Sequence, residues 1–153
     1  MKIMDILVKD GAILDLASDT KESVLDEMAC SLAAAEPALD AQRLFGVLSE
    51  REALQSTGIG EGVAVPHGKI AGLDHLVACF ARSVKGVDFE SIDGQPTHLF
   101  FLLVVPEHSG GQHLKALARI SRFFRDAGFR QKLMAASSLD DVFRAIDEED
   151  AKF

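Results

Sequence analysis

Three side chains have the types and spacing to hold an anionic group and pass it on. His67 lies in "AVPHGK" (64–69), between Pro66 and Gly68. Proline fixes its own φ and pushes the preceding Val65 towards extended backbone. Gly68 adds no bulk beside the ring and permits a positive φ. The imidazole is therefore expected on a turn at a strand end, with little around it. Two readings stand open: a surface-turn histidine, or a nucleophile that must meet a large partner.

His113 is the second. Ser109 and Gln112 fit an S-x-x-Q capping box, which makes Ser109 the expected N-cap and Gly110 and Gly111 the first helical positions. His113 then falls in the first turn, where free N–H groups and the helix dipole favour an anion. It heads an apolar stripe of Leu117, Ile120 and Phe124; a core-edge histidine bonded to backbone is the alternative. Arg51 is the third. It follows Leu44 and Leu48 at helical spacing, so it is expected on the inward face, with Glu50 and Glu52 on other faces. An inward arginine needs an anion, either a structural carboxylate or an arriving phosphoryl group. Glu61, inside "STGIGEG" (56–62), either orients a ring, pairs with Arg51 or is a solvated loop acid. That loop is neither a P-loop nor a dinucleotide fingerprint, because it lacks G-K-[ST] and the strand–G-x-G-x-x-G–helix context.

The elements that must position these residues alternate between α and β. "AILDLAS" (12–18) reads as a short strand. Asp19 and Glu22 read as a capping box for a helix through Val24, Leu25, Met28, Ala29 and Leu32, broken at Pro37. Asp40 caps the next helix, which buries Leu44, Val47 and Leu48. "VAV" (63–65) reads as a strand ending at Pro66, and "HLVACFARSV" (75–84) as another, with an Asp-Gly turn in "IDGQ" (92–95). "HLFFLLVV" (98–105) is apolar throughout and suits a central strand covered on both faces. Three helices follow, the last starting at "SSLDD" and burying Leu139, Val142, Phe143 and Ile146. The fold class is mixed α/β, a single domain over 1–153 with a sheet covered by helices.

Composition narrows the function. The chain has 153 residues, is 48% hydrophobic and carries a net charge of −8. That fits one domain with one sizeable core and disfavours nucleic-acid binding through phosphate neutralisation. No apolar run reaches the roughly 20 residues of a membrane span, and the start lacks a signal-peptide core, so a cytoplasmic protein is expected. Cys30 and Cys79 lie in apolar segments and read as buried free thiols. His75 and His98 sit at expected strand starts and read as structural. His108 lies near His113, but no carboxylate or cysteine completes a ligand set, so no metal and no cofactor is expected. The lack of a Ser or Cys nucleophile motif argues against a hydrolase.

"REALQSTGIGEGVAVPHGK" (51–69) and "PEHSGGQHLKALA" (106–118) together resemble the EIIA domain of the fructose–mannitol type in the bacterial phosphotransferase system. The nitrogen-regulatory EIIA proteins belong to that family, and "QSTGIGEG…PHGK" is particularly like them. The resemblance covers nearly the whole chain and implies a mixed β-sheet flanked by helices on both faces. It implies that His67 is the phosphoryl acceptor and that His113 and Arg51 stabilise the phosphoryl group. Glu61 occupies a position where family members vary. It implies a donor, HPr or its nitrogen-branch counterpart, and a downstream EIIB domain or regulatory target such as a transporter or sensor kinase. Such a protein is a phosphoryl relay needing no metal, not a free-standing small-molecule enzyme. The alternative within the family is a sugar-specific relay for fructose- or mannitol-type uptake. Pro66, Ile59 and Val63 are candidates for the docking rim, with burial an equally good reading of Val63.

Overall fold

The computed structural model describes all 153 residues. Short α1 (Ile3–Ile6) and a 3-10 turn (Lys9–Gly11) lead to α2 (Lys21–Ala35) and α3 (Ala41–Leu54). Strands β1 (Gly58–Gly60), β2 (Val63–Ala64), β3 (His67–Ile70), β4 (Val77–Val87) and β5 (Thr97–Pro106) follow, then α4 (Gln112–Arg125), α5 (Ala127–Ala135) and α6 (Leu139–Lys152).

β5 is the centre of the sheet. β4 lies antiparallel along one side of it, and β2 and β3 lie parallel on the other. Side chains alternate along a strand, and β5 shows both consequences. Leu99, Phe101, Leu103 and Val105 enter a core under α4, α5 and α6, while Phe100, Leu102 and Val104 enter a second core under α2 and α3. The near-continuous apolar run is thus a strand buried on both faces, with helices on both sides of the sheet. No helix is long and apolar enough to cross a membrane.

Several local expectations are corrected. "AILDLAS" forms no strand. It touches β4 only through the bridge Ile13–Ala81 and a few backbone bonds, and Asp15 turns to the Arg82 guanidinium, 3.0 Å away. Thr20 and Ser23, not Asp19 and Glu22, make the capping box of α2. Asp40 caps α3 and Ser138 caps α6 as the sequence indicates. Cys79 is buried, and burial pushes its thiol up to about 12, but Cys30 is exposed. In α6, Val142 and Ile146 are buried while Leu139 and Phe143 are only half-buried.

Candidate phosphoryl site

His67 is the first residue of β3 and not part of a turn. β2 and β3 keep one register against β5, Ala64 opposite Phe100 and His67 opposite Leu103. Pro66, which has no N–H, interrupts the ladder between them, while its carbonyl accepts from Leu103 N at 2.9 Å. The interruption lets the His67 ring fold back, so that Nδ1 lies 2.8 Å from the Val65 carbonyl. A carbonyl only accepts, so Nδ1 carries the proton and Nε2 keeps its lone pair.

Gly68 earns its place by close approach, not by a left-handed backbone. A Cβ there would stand 2.5 Å from Val47 Cγ1. This bare position lets α3 press against β3 and carries Arg51, one helical turn beyond Val47, to the site. Gly68→Ala is therefore expected to cost about 1–3 kcal/mol, because Val47 is β-branched and has few rotamers to escape into. Thermal melts of Gly68→Ala and of Gly68→Ala with Val47→Ala check this. The double variant should recover most of the loss, since it removes the methyl that clashes.

α4 brings His113 from the other face of the sheet. The expected Ser109 cap does not form. Gly110 adopts φ +61° and Gly111 becomes the N-cap, so the helix begins at Gln112. The Ser109 hydroxyl instead meets His113 Nδ1 at 3.2 Å, and the Gly110 carbonyl lies 2.9 Å from the same nitrogen. His113, like His67, gives Nδ1–H to backbone and keeps Nε2 free.

Arg51, His67 and His113 line one cavity of about 740 Å³, with Lys69, Glu50, Leu103 and Val105 among its other walls. The chain is acidic overall, yet this cavity gathers Arg51 and Lys69 against a single acid. Arg51 is half-buried, pairs with no carboxylate, and donates Nη1–H to the Gln55 carbonyl at 2.7 Å. Its neighbour Glu52, expected on another face, is the acid that is buried. Glu52 follows Leu44 and Leu48 at steps of four and so shares their buried face; helical spacing could have placed it there, but not its partners Thr57 and Lys21, which come from outside the helix. Glu61 is not brought to the site. It sits at φ 57° in the β1–β2 turn, exposed, with its carboxylate 3.6 Å from Arg130. The docking-rim expectation is also revised. Val63 and Pro66 are buried, and Ile59 is exposed but outside the cavity lining; Leu54, 84% exposed, lines the cavity, and Leu114, 62% exposed, follows His113 on α4.

The His67 imidazole titrates below its ordinary value of about 6.5. Burial is the main cause, and the positive charges of Arg51 and His113 add to it, against the Val65 hydrogen bond and the Glu52 charge. The ring is therefore mostly neutral, and a competent nucleophile, from pH 6.5 upward. A histidine NMR titration should place the His67 midpoint below 6.5. The sign for stability follows. The unfolded chain binds this proton near pH 6.5 and the folded chain only at lower pH, so stability is full above 6.5 and erodes as pH falls through the folded titration point.

The comparisons with known proteins agree with this fold. The family model for the phosphoenolpyruvate-dependent sugar phosphotransferase system, EIIA 2, matches residues 5–149. The class is thus a phosphoryl-carrier protein of that system. The chain belongs to the EIIA 2 family. It is 40% identical to a nitrogen regulatory protein of Bradyrhizobium diazoefficiens, across 95% of each chain. It is also 40% identical to a fructose-specific EIIABC component of Bacillus subtilis, across 98% of this chain but only 24% of that longer protein. The crystal structure of the nitrogen regulatory protein IIA-Ntr of Neisseria meningitidis superposes with a TM-score of 0.87 at 34% identity, over 94% of this chain and 98% of that one.

Proposed function

We propose that the chain, acting in the cytoplasm as one EIIA domain over 1–153, accepts a phosphoryl group on Nε2 of His67. The donor is a histidine-phosphorylated carrier, HPr or its nitrogen-branch counterpart. The observation that supports this reading is the bond from His67 Nδ1 to the Val65 carbonyl, which leaves Nε2 as the free nucleophile in a cavity shared with Arg51 and His113. The Nε2 lone pair attacks phosphorus in line as the donor's N–P bond breaks, and that bond's electron pair returns to the donor ring. Phosphoryl transfer asks mainly for alignment and charge stabilisation. Arg51 supplies the second to the equatorial oxygens, and His113 adds to it with Nε2 protonated, since its Nδ1–H is held by the backbone. The exposed Leu54 and Leu114 offer an apolar rim on which a carrier can dock.

The product regulates. Phosphorylation adds a charge near −2 to the cavity, which changes the surface offered to a target protein such as a transporter or sensor kinase. Similarity over nearly the full length of the nitrogen regulatory relative supports this branch. The equal identity to the fructose-specific relative supports a second reading, transfer onward to an EIIB domain for sugar uptake. The deciding experiment supplies phosphoenolpyruvate, enzyme I and each branch's carrier in turn. Faster acid-labile labelling by the nitrogen-branch carrier is expected. Faster labelling by HPr would favour sugar uptake, and no label from either would overturn the acceptor reading.

A further inference from the structure

One buried carboxylate stands directly behind the site. Glu52 has a side chain only 4% exposed, paired with Lys21 Nζ at 3.0 Å. It accepts from the Thr57 N–H at 3.1 Å and from the Thr57 hydroxyl. The Thr57 carbonyl accepts from Val65 N at 3.0 Å, and the Val65 carbonyl holds His67 Nδ1. An unbroken line of hydrogen bonds thus runs from the Lys21–Glu52 pair to the ring. The same pair anchors the second corner of the site. Glu52 adjoins Arg51 in the last turn of α3, and Thr57 lies two residues beyond Gln55, whose carbonyl holds the guanidinium.

We propose that Glu52 is a positioning residue: paired with Lys21 and acting through Thr57 and Val65, it fixes His67 with Nδ1 on the backbone and Nε2 in the cavity. As far as it bears on transfer, this rests on the reading of His67 as acceptor. A buried ion pair is a costly way to hold α2 against α3, because well-packed apolar side chains do so at least as well. What apolar side chains lack is direction. A carboxylate that receives both donors of Thr57 sets the orientation of that peptide, and through it the Val65 carbonyl. The Glu52 charge also pulls the His67 titration point upward, against burial.

The test uses the full chain carrying Glu52→Gln, Thr57→Val or Thr57→Ser, with two readouts. Ring ¹⁵N shifts of unphosphorylated His67 report its tautomer, and phosphoenolpyruvate, enzyme I and HPr-type carrier report the initial rate of labelling. The wild-type ring should be protonated on Nδ1 alone. Glu52→Gln and Thr57→Val should show mixed tautomers and labelling about 10-fold slower, since small misplacements of a reacting group carry large rate costs. Thr57→Ser, which keeps the hydroxyl, should restore both. Folded Glu52→Gln and Thr57→Val proteins with the wild-type tautomer and rate would overturn the inference, even if they melt earlier. If Glu52→Gln does not fold, Thr57→Val decides. The tautomer readout needs no phosphate. A wild-type chain that takes no label would therefore sink the acceptor reading, while the shifts would still decide the role of Glu52.

Discussion

His67→Asn is expected to take up no acid-labile phosphate from either carrier, while the protein folds and melts close to wild type. The asparagine amide can stand where Nδ1 stands and donate to the Val65 carbonyl, so the contact behind the ring survives. What disappears is Nε2 and its lone pair, and no neighbour replaces it as a nucleophile. The stability change should stay within about 1 kcal/mol, the scale of one net hydrogen bond, which moves the melting point of a domain this size by about 2–4 °C. The informative contrast is the position of any residual label. His113 Nε2 opens on the same cavity, and label retained there would reassign the acceptor. Label lost along with cooperative melting would show only that the substitution unfolds the chain.

The sequence made the strand-and-helix order readable because period and burial agree. "HLFFLLVV" has no polar interruption, and β5 is buried on both faces. The three cavity residues were legible for separate reasons: a histidine after proline, a histidine at a glycine-preceded helix start, and an arginine at an inward helical position. Two kinds of feature were not. Caps depend on which of several adjacent polar residues wins the backbone N–H groups. Thr20 won over Asp19, and the left-handed Gly110 took Ser109 out of the capping position and gave its hydroxyl to His113. Long-range polar contacts are the other kind. Glu52 looks like an ordinary helix acid, since nothing local announces that Thr57 folds back on it or that Lys21 arrives from α2. Glu61 erred in the opposite direction. Its place beside the glycines suggests a site residue, but the turn that those glycines permit carries its carboxylate to Arg130.

Arg51→Met should slow phosphoryl acceptance by about 10²–10³-fold, the usual cost of removing one group aimed at transition-state charge. Methionine keeps most of the apolar stem, so the packing of α3 against β3 should persist. The guanidinium is partly committed already: Nη1 is spent on the Gln55 carbonyl, which fixes the plane of the fork and leaves its other N–H groups for the arriving oxygens. Arg51→Lys should therefore recover only part of the rate, because an ammonium keeps the charge but cannot keep one donor on Gln55 while presenting a rigid pair to phosphate. A second readout separates this role from simple attraction of an acidic partner. Arg51 helps to depress the His67 titration point, so Arg51→Met, which removes the charge, should move the midpoint upward. Burial, the largest of the causes, remains in the variant. The rate loss should then grow as pH falls towards that midpoint, because more of the acceptor becomes protonated. An Arg51→Met protein that labels within about threefold of wild type, with its His67 midpoint unmoved, would remove Arg51 from the phosphoryl site and leave it as a cap on the end of α3.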